Sequence, residues 1–308
     1  MTRFTDAVEG GVAAGLRSLP DWRGKTNIAL GWKRLRERRG PLDGSWELRL
    51  HEGSVMCLPR GSRMTWSVAA TGCWDRHVIE LVAPYIAPGT VALDVGASLG
   101  LWTLPLARIA RSVGARLSCF EPNPENLRWL QANIERNDLR SVIDVHAVAL
   151  GAHPTTARLG HRERGGGNAA LVEIDAADAV DVPVVRMDDI SFQRRVSFMK
   201  LDVEGFELEV LRGGRALIER DRPAIFGEFN ASWLRMRHTQ LDAGLSWITA
   251  LGYDVLEVEE RRSAHWRSRD LAQLRPLQSP LAQGSENLLL LPHADRRPGA
   301  APITRRAG

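Results

Sequence analysis

The chain of 308 residues is long enough to bury a large hydrophobic core, as one domain with additions or as two small domains. Its hydrophobic content of 44% and charged content of 25% are ordinary for a globular protein, and we interpret its net charge of +4, concentrated in arginine-rich terminal and loop segments, as a solvated basic surface rather than a nucleic-acid interface. No apolar run approaches the about 20 residues that span a bilayer, and the three cysteines form no C-x-x-C pair and no metal-ligand cluster, so we expect a cytoplasmic protein.

An N-terminal extension over residues 1–70 is predicted to precede the main domain. It contains the basic segment NIALGWKRLRERRG, residues 27–40, in which apolar residues recur among lysines and arginines. Two interpretations remain open: a basic amphipathic helix that rests on an anionic membrane or glycolipid surface, or a peripheral helix with an exposed charged face. Residues 46–50 and 54–58 predict two short strands that pair as a hairpin.

The strand and turn that follow a predicted helix over residues 74–86 carry the first functional signal. Residues 91–95 are an apolar run, VALDV, which predicts a buried parallel strand. Asp94 lies near its end, and Gly96 and Gly100 bracket the turn into a long helix. Because glycine has no side chain, a ligand can approach the backbone of this turn at the helix N-terminus.

A second strand, predicted over residues 116–120, leads to Glu121, which lies 21 positions after Gly100. A carboxylate at this distance binds ribose hydroxyls in nucleotide-binding βαβ units, so the pattern predicts an adenosine pocket. The spacing D-x-G-x-x-x-G departs from the dinucleotide pattern G-x-G-x-x-G, and a carboxylate at Asp94 suits an ammonium and a sulfonium better than a pyrophosphate. We therefore predict S-adenosylmethionine (SAM) as the cofactor, while a simple strand–helix connection remains the alternative for the glycines alone.

The residues around this turn supply further candidate cofactor contacts. Ser98 lies inside the glycine turn, and Asn123 is the predicted cap of the next helix. Residues 142–150 predict the third strand. Residues 151–183 alternate small and polar residues and contain three successive glycines in HRERGGGNAALVE; a loop that closes over substrate and a surface excursion both remain open.

A second functional signal lies at residues 196–205, VSFMKLDVEG, where an apolar strand ends in carboxylates. Asp202 and Glu204 share strand parity, so we expect both at the carboxyl ends of parallel strands, where doubly wound proteins bind ligands. Glu204 can also be interpreted as an acid near the N-terminus of the next helix. The following strand ends in Glu228 and Asn230, at the edge of the same crevice.

The remaining predicted elements are a strand over residues 224–229, a helix over 241–251, a strand over 253–258 and a last apolar strand over 286–291. The arginine-rich residues 259–285, which contain two prolines, are interpreted as a surface excursion. The tail over residues 293–308 is predicted to be disordered.

Four blocks of this sequence resemble the FkbM family of SAM-dependent methyltransferases: LDVGASLGLWT, FEPNPENLRWLQANI, MKLDVEGFELEVLRGG and IFGEFN. The resemblance covers residues 70–258 and the strand ENLLLLP, and its most specific part runs from Lys200 to Glu207. It implies a methyltransferase domain over residues 71–292 with the class I, Rossmann-like α/β fold. This fold has a seven-stranded, mostly parallel sheet with helices on both faces and an antiparallel last strand.

The resemblance also implies a reaction and residue roles, with the methionine end of SAM held by Asp94, Gly96 and Gly100. Members similar to this chain typically methylate hydroxyl groups on sugars, lipopolysaccharides or macrolide-type natural products. Glu121 would hold the ribose of SAM, and Asp202 and Glu204 would lie at the methyl-transfer crevice, with Asp202 also near the cofactor. The basic N-terminal region and residues 259–285 depart from the family pattern.

An alcohol acceptor needs a base or a metal to take its proton. The candidate bases are Asp202, Glu204 and His238. Alternatively, Asp202, Glu228 and Asn230 offer three oxygen ligands that suit Mg²⁺. The sequence leaves both routes open.

Three functions are compatible with these residues. The favoured one is an O-methyltransferase that acts on a hydroxyl of a glycan or natural product. The second is a nicotinamide-dependent oxidoreductase, against which Asp94 and the glycine spacing argue. The third is a non-catalytic SAM-binding or scaffold protein. The oligomeric state is left open.

Overall fold

The computed structural model describes residues 11, 15–18, 24–161, 169–171, 179–230, 241–261, 271–277 and 285–293. The strands are β1 (Ser45–Arg49), β2 (Val55–Pro59), β3 (Val91–Val95), β4 (Arg116–Phe120), β5 (Ile143–His146), β6 (Ala149–Leu150), β7 (Thr155–His161), β8 (Ala169–Leu171), β9 (Val180–Val185), β10 (Val196–Leu201), β11 (Ala224–Asn230), β12 (Tyr253–Arg261), β13 (Leu271–Pro276) and β14 (Ser285–Pro292). The helices are α1 (Lys25–Glu37), α2 (Arg63–Thr71), α3 (Arg76–Val82), α4 (Thr103–Ser112), α5 (Pro124–Arg136), α6 (Glu207–Gly213), α7 (Arg215–Asp221) and α8 (Leu241–Ala250).

A central sheet of eight strands carries the fold, in the order β13-β12-β14-β11-β10-β3-β4-β5. Strands β11, β10, β3, β4 and β5 are parallel, whereas β14 runs antiparallel to both of its neighbours, β11 and β12. Every residue of β3 and β10 is buried, as expected when helices cover both faces of a parallel sheet. The predicted class I methyltransferase fold, with its antiparallel last strand, is confirmed.

Helices on the two faces of this sheet enclose two hydrophobic cores. On one face, α3, α4 and α5 cover side chains that include Ala92 and Phe226. On the other face, α6, α7 and α8 cover Leu93 and Ile225. Successive side chains of a strand point to opposite faces, which is why neighbouring residues contribute to different cores.

The sheet has one strand more than the predicted seven. The prediction of a surface excursion over residues 259–285 is wrong at both ends, where residues 259–261 continue β12 and Ser285 begins β14. It is also wrong for Leu271–Pro276, which forms β13 and pairs antiparallel with β12. Without β13, β12 would be the edge strand and would present a row of unpaired backbone N–H and C=O groups. The hydrogen bonds from β13 satisfy these groups.

The prediction of a single strand over residues 142–150 is wrong in part. Ile143–His146 belongs to the central sheet, but Ala149–Leu150 leaves it and pairs with β9. With β7 and β8 these strands form a separate four-stranded sheet, in the order β6-β9-β7-β8. The described parts of residues 151–183 are therefore largely strands, and the three glycines at 165–167, on which both loop interpretations depend, lie outside the described residues.

The predicted helix over residues 74–86 is shorter in the structure. It is α-helical only over Arg76–Val82 and ends in a 3₁₀ turn, Ala83–Tyr85. Pro84 lacks a backbone N–H and its ring clashes with a carbonyl of the preceding turn, so the α-helix stops there. The preceding helix α2 has no counterpart among the predicted elements.

The N-terminal extension contains the predicted hairpin, in which Trp46 lies opposite Leu58. Met56 and Leu58 of β2 are fully buried in the same core as α4. The division at residue 70 therefore stays a prediction, and the predicted disordered tail after His293 lies outside the described residues.

Within the described ranges, no helix combines the length and the apolar character that a membrane crossing requires.

Candidate active site

The turn after β3 lies against the turn after β10. Gly96, Ser98 and Gly100 all have positive φ angles, +82°, +48° and +99°. A Cβ atom on Gly96 would lie 1.9 Å from the backbone oxygen of Asp202, and the Asp202 N–H donates to the Val95 carbonyl at 3.0 Å. Glycine is therefore required where these two turns meet, because any side chain would force them apart.

Glu121, directly after β4, holds the glycine turn to the start of α5. Its Oε2 accepts a hydrogen bond from the Ser98 N–H at 2.8 Å, and its Oε1 accepts from the Asn123 N–H at 2.8 Å and from Asn126 Nδ2 at 3.3 Å. Burial raises the pKa of the Glu121 carboxyl, and these three hydrogen bonds oppose the rise. The carboxylate is thus oriented by the protein before any ligand binds.

A buried charge pair joins the two strands beneath the turns. Lys200 Nζ lies 3.2 Å from Asp94 Oδ1 and 3.6 Å from Asp202 Oδ2, and it donates to the Gly96 carbonyl at 2.8 Å. Thr103 donates to Asp94 Oδ2 at 2.7 Å. Burial lowers the pKa of the Lys200 ammonium, but the two carboxylates outweigh it and the net pKa is raised.

The turn after β10 exposes two carboxylates and buries a third. The Asp202 side chain is 42% exposed, and Glu204 is half-buried with a φ of +56°. Glu207, 1% exposed in the first turn of α6, accepts at Oε1 from the backbone N–H groups of Val203 and Gly205, at 3.2 and 3.0 Å. Burial raises the pKa of Glu207 to about 7, and the Asp202 carboxylate adds to the rise.

A cavity opens between these turns, lined by Met64, Gly96, Ser98, Phe120, Glu121, Asn126, Val148, Leu150, Asp202, Glu204 and Phe206, among others. Five of the predicted site residues are in this lining. Asp94, Gly100 and Asn123 are buried behind it: Asp94 contacts Lys200, Asn123 contacts Glu121, and Gly100 lies against the core side chain of Leu130. His238 lies outside the described residues.

The alternative magnesium site stays a prediction. Glu228 is exposed on β11, next to the position that pairs with Leu201, and only the backbone of Asn230 is described. Among the residues that the structure describes, no group of three or more His, Cys, Asp or Glu side chains has the arrangement of metal ligands.

Three residues of the site have no role in the sequence analysis. Lys200 could be recognised in the sequence, since it is the single charged residue of the strand VSFMKL. That Asp94 is its partner could not, because their pairing depends on the register of β10 against β3. Glu207 and Asn126 are ordinary helical residues in the sequence. Their bonds to Gly205 and Glu121 lie within local turns, two and five positions away, and depend on the conformation of those turns rather than on a residue pattern.

Comparison with known proteins gives a consistent result. The family model described as "Methyltransferase FkbM domain" matches residues 94–255. The chain is 29% identical to "31-O-demethyl-FK506 methyltransferase FkbM" of Streptomyces tacrolimicus, over 46% of this chain and 64% of that protein. It is 27% identical to "Methyltransferase 1" of Beauveria bassiana, over 46% of this chain and 62% of that protein. The chain thus spans less than two thirds of the length of these relatives.

Among solved structures, the chain is similar to a methyltransferase FkbM from Methylobacillus flagellatus. The sequences are 21% identical, the TM-score is 0.42, and the match covers 65% of this chain and 43% of that chain. The family model rests on sequence and covers more than half of the 308 residues, from Asp94 through both turns of the cavity. This chain therefore belongs to the FkbM methyltransferase family.

Proposed function

We propose that the protein transfers a methyl group from SAM to a hydroxyl oxygen of a glycan or natural-product acceptor. The observation that carries the proposal is that Asp202 and Glu204 line one cavity with Gly96 and Glu121, within the region that matches the family model. The name of the relative from Streptomyces tacrolimicus describes a methyltransferase for a 31-O-demethyl compound, which supports oxygen as the acceptor atom. The glycan class of acceptor and the cytoplasmic location remain predictions.

The residues of the cavity fit a cationic adenosine cofactor. Three carboxylates, those of Glu121, Asp202 and Glu204, line it, and opposite charges at close range attract. Phe120, whose ring stacks on His146 with centroids 4.5 Å apart, supplies an apolar wall. Ser98 Oγ is buried and has no hydrogen-bond partner among the described residues, so it is free to bond a ligand.

Glu121 and Ser98 would hold the ribose, and Asp202 would attract the positive charge of the methionine end. We assign Asp94 a different role from the one that the resemblance implies, because its buried carboxylate pairs with Lys200 and bonds Thr103, which would position both turns. When bound, SAM supplies an electrophilic methyl group on a sulfonium. The chain must then hold the acceptor oxygen in line with that methyl group, and such orientation contributes up to about 7 to 11 kcal/mol.

The acceptor hydroxyl must lose its proton during transfer. Asp202 and Glu204 are the two carboxylates in the cavity wall next to α6, and either can accept that proton. Glu204 is the better candidate, because the Asp202 carboxylate already lies 3.6 Å from the Lys200 ammonium. We propose Glu204 as the base, with His238 as the alternative.

The test has two parts, and the first is thermal unfolding with S-adenosylhomocysteine, with NADH as the control ligand. At 100 times its dissociation constant, a ligand stabilises the folded state by about 2.7 kcal/mol. We expect this shift with S-adenosylhomocysteine alone, a loss of the shift in Glu121→Gln, and no loss in Asp181→Asn, whose exposed carboxylate lies outside the cavity. A shift with NADH alone would instead support an oxidoreductase.

The second part is methyl transfer to a panel of glycan and natural-product alcohols. For Glu204→Gln we expect kcat to fall by about 10² to 10⁴ while S-adenosylhomocysteine binding is kept, since a general base contributes this much. Binding without turnover on any alcohol would favour the scaffold function. An unchanged kcat in Glu204→Gln would exclude this residue as the base.

A further inference from the structure

The outward face of α1 carries large apolar side chains in solvent. Ile28 is 51% exposed and Leu35 is 46% exposed, and the only other large hydrophobic residue this exposed in the described part of the chain is Val180, at 45%. Ile28 and Leu35 are seven positions apart, so they lie on the same side of the helix, within about 20° of one another. They form an apolar stripe along the helix, with exposed Gly31 between them.

Arginines accompany this stripe. Arg34, Arg38 and Arg39 are all exposed, and none of them has a carboxylate partner among the residues that the structure describes. The single acid of α1, Glu37, pairs with Lys33. At about 100° per residue, Glu37 lies about 160° around the helix from Leu35. Within α1 and the two arginines that follow it, the exposed stripe is therefore flanked by positive charge alone.

The opposite side of α1 is anchored in the fold. Ala29 is 2% exposed and packs in a small core with Leu42, Trp66 and Ala70. Lys33, on the same side, is 6% exposed. The helix is thus held by residues other than those of the stripe, and its outward face makes no contribution to that core.

We propose that the outward face of α1, defined by Ile28, Gly31, Arg34, Leu35 and Arg38 together with Arg39, binds the surface of an anionic lipid bilayer. Apolar side chains flanked by cations match such a surface, because the former enter the boundary of headgroups and acyl chains while guanidinium groups pair with lipid phosphates. A nucleic acid would bind the arginines but would gain nothing from an exposed isoleucine and leucine. With two apolar side chains and three arginines, the binding is weak, reversible and sensitive to salt.

The helix that carries this surface is separated from the cavity of the candidate active site by one helix, α2. α1 packs on α2, and Met64 of α2 lines that cavity. The proposal itself does not depend on the reaction, and its test needs no acceptor.

The test is co-sedimentation of the full chain with vesicles of phosphatidylcholine, alone or mixed with phosphatidylglycerol. We expect binding to the mixed vesicles at low salt and loss of binding at high salt. The variant Arg34→Gln, Arg38→Gln, Arg39→Gln is expected to bind about 100-fold more weakly, since each arginine contributes about fivefold. The control Arg128→Gln, Arg140→Gln, Arg215→Gln removes the same charge from exposed sites on or next to other helices and is expected to bind within about threefold of wild type.

The apolar stripe is tested by Ile28→Ser with Leu35→Ser, against Val180→Ser as the matched control. We expect weaker vesicle binding for the double variant alone, with unfolding midpoints and S-adenosylhomocysteine binding unchanged in all variants. Absence of binding to mixed vesicles, or equal losses in the two arginine triplets, would overturn the proposal. So would binding of a DNA duplex that exceeds vesicle binding and is unaffected by the two serine substitutions, which would identify a nucleic-acid surface.

Discussion

At the residue scale, Gly96 combines a left-handed backbone conformation with a close approach between two turns. Its φ angle of +82° disfavours any residue with a side chain, and a Cβ atom there would overlap the Asp202 backbone oxygen. Gly89 offers a control, because its φ is +69° but nothing lies within 4 Å of a Cβ atom. Comparing the two separates backbone strain from the clash between turns.

We predict that Gly96→Ala lowers the free energy of unfolding by about 3 kcal/mol or more, the sum of left-handed strain and overpacking. Gly89→Ala is expected to lose only about 1–2 kcal/mol, the strain alone. Urea unfolding of both variants measures the difference, and S-adenosylhomocysteine binding is expected to weaken only in Gly96→Ala. Equal losses of stability in the two variants would contradict the close approach of the two turns.

The carboxyl group of Glu207 is fully buried, and its two oxygens differ in their hydrogen bonding. Its Oε1 accepts two backbone hydrogen bonds, while its Oε2 is buried and has no hydrogen-bond partner among the described residues. A pKa of about 7 means that the folded protein holds a proton that the unfolded chain releases at a pKa near 4.5. Stability from this group is therefore present below about pH 4.5 and is lost as the pH rises towards 7.

We predict that the wild type loses about 2.5 kcal/mol of stability relative to Glu207→Gln between pH 5 and pH 8, because each pKa unit corresponds to about 1.4 kcal/mol and part of the loss lies below pH 5. The neutral amide of the variant does not titrate, so the difference between the two proteins isolates this group. Urea unfolding across that pH range is the measurement. Glu209→Gln, on the same helix, is the matched control, and a pH-independent difference for Glu207→Gln would refute the prediction.

At the element scale, α5 binds the backbone of β2 through two asparagines four positions apart. Asn133 accepts from the Cys57 N–H at 2.8 Å and donates to the carbonyls of Cys57 and Leu99 at 3.2 and 3.1 Å. Asn137 makes the equivalent pair of bonds with Val55, at 2.9 and 2.8 Å. The edge of the hairpin is thus satisfied by helix side chains instead of a third strand.

We predict that Asn133→Ala lowers the free energy of unfolding by about 2–4 kcal/mol, because Asn133 is fully buried and its loss leaves several backbone groups without partners. Asn137→Ala is expected to cost less, since water reaches that half-buried site. The exposed Asn27→Ala on α1 is the control, expected within about 0.5 kcal/mol of wild type. Denaturant titration ranks the three variants, and the reverse order of the first two would contradict this reading of the contacts.

At the scale of the whole molecule, the hairpin and the central sheet share one core. Met56 of β2 is fully buried beside Leu104 of α4 and Leu130 of α5. A Cβ atom on Gly100 would lie 3.0 Å from Leu130 Cδ1 and 3.8 Å from Met56 Cε, so the glycine turn is in contact with this core. A boundary near residue 70 would therefore cut through this shared core, whereas the small core of Ala29, Leu42, Trp66 and Ala70 lies wholly on its N-terminal side.

We predict a single cooperative unfolding transition, with far-ultraviolet circular dichroism and tryptophan fluorescence changing together. Met56→Ala is expected to lower the stability of the whole molecule by about 2–5 kcal/mol. Ile28→Ala, at an exposed site, is the control and is expected to leave the midpoint nearly unchanged. Two separate transitions, with only the first shifted by Met56→Ala, would show that the extension unfolds on its own.

The elements that the sequence predicts well are those with a strong local pattern. About ten residues of sequence are enough to identify the apolar run of β3, the glycines that follow it and the acids after β10. The reason is that strand alternation, burial and positive φ angles are local properties. The family follows from the same blocks. Predictions fail where a local pattern fits more than one structure. Residues 142–150 have a continuous strand-like pattern, but their two halves belong to two different sheets.

The sequence by itself determined the class of fold, the family and the turns after β3, β4 and β10 that line one part of the cavity. Only the tertiary structure decided that Asp94 pairs with Lys200, that Glu121 bonds Ser98, and that Leu271–Pro276 extends the sheet. These contacts join residues ten or more positions apart, and they depend on strand register and on how closely backbones approach. A one-residue change of register would turn every side chain of a strand to the other face, so no local pattern contains that information.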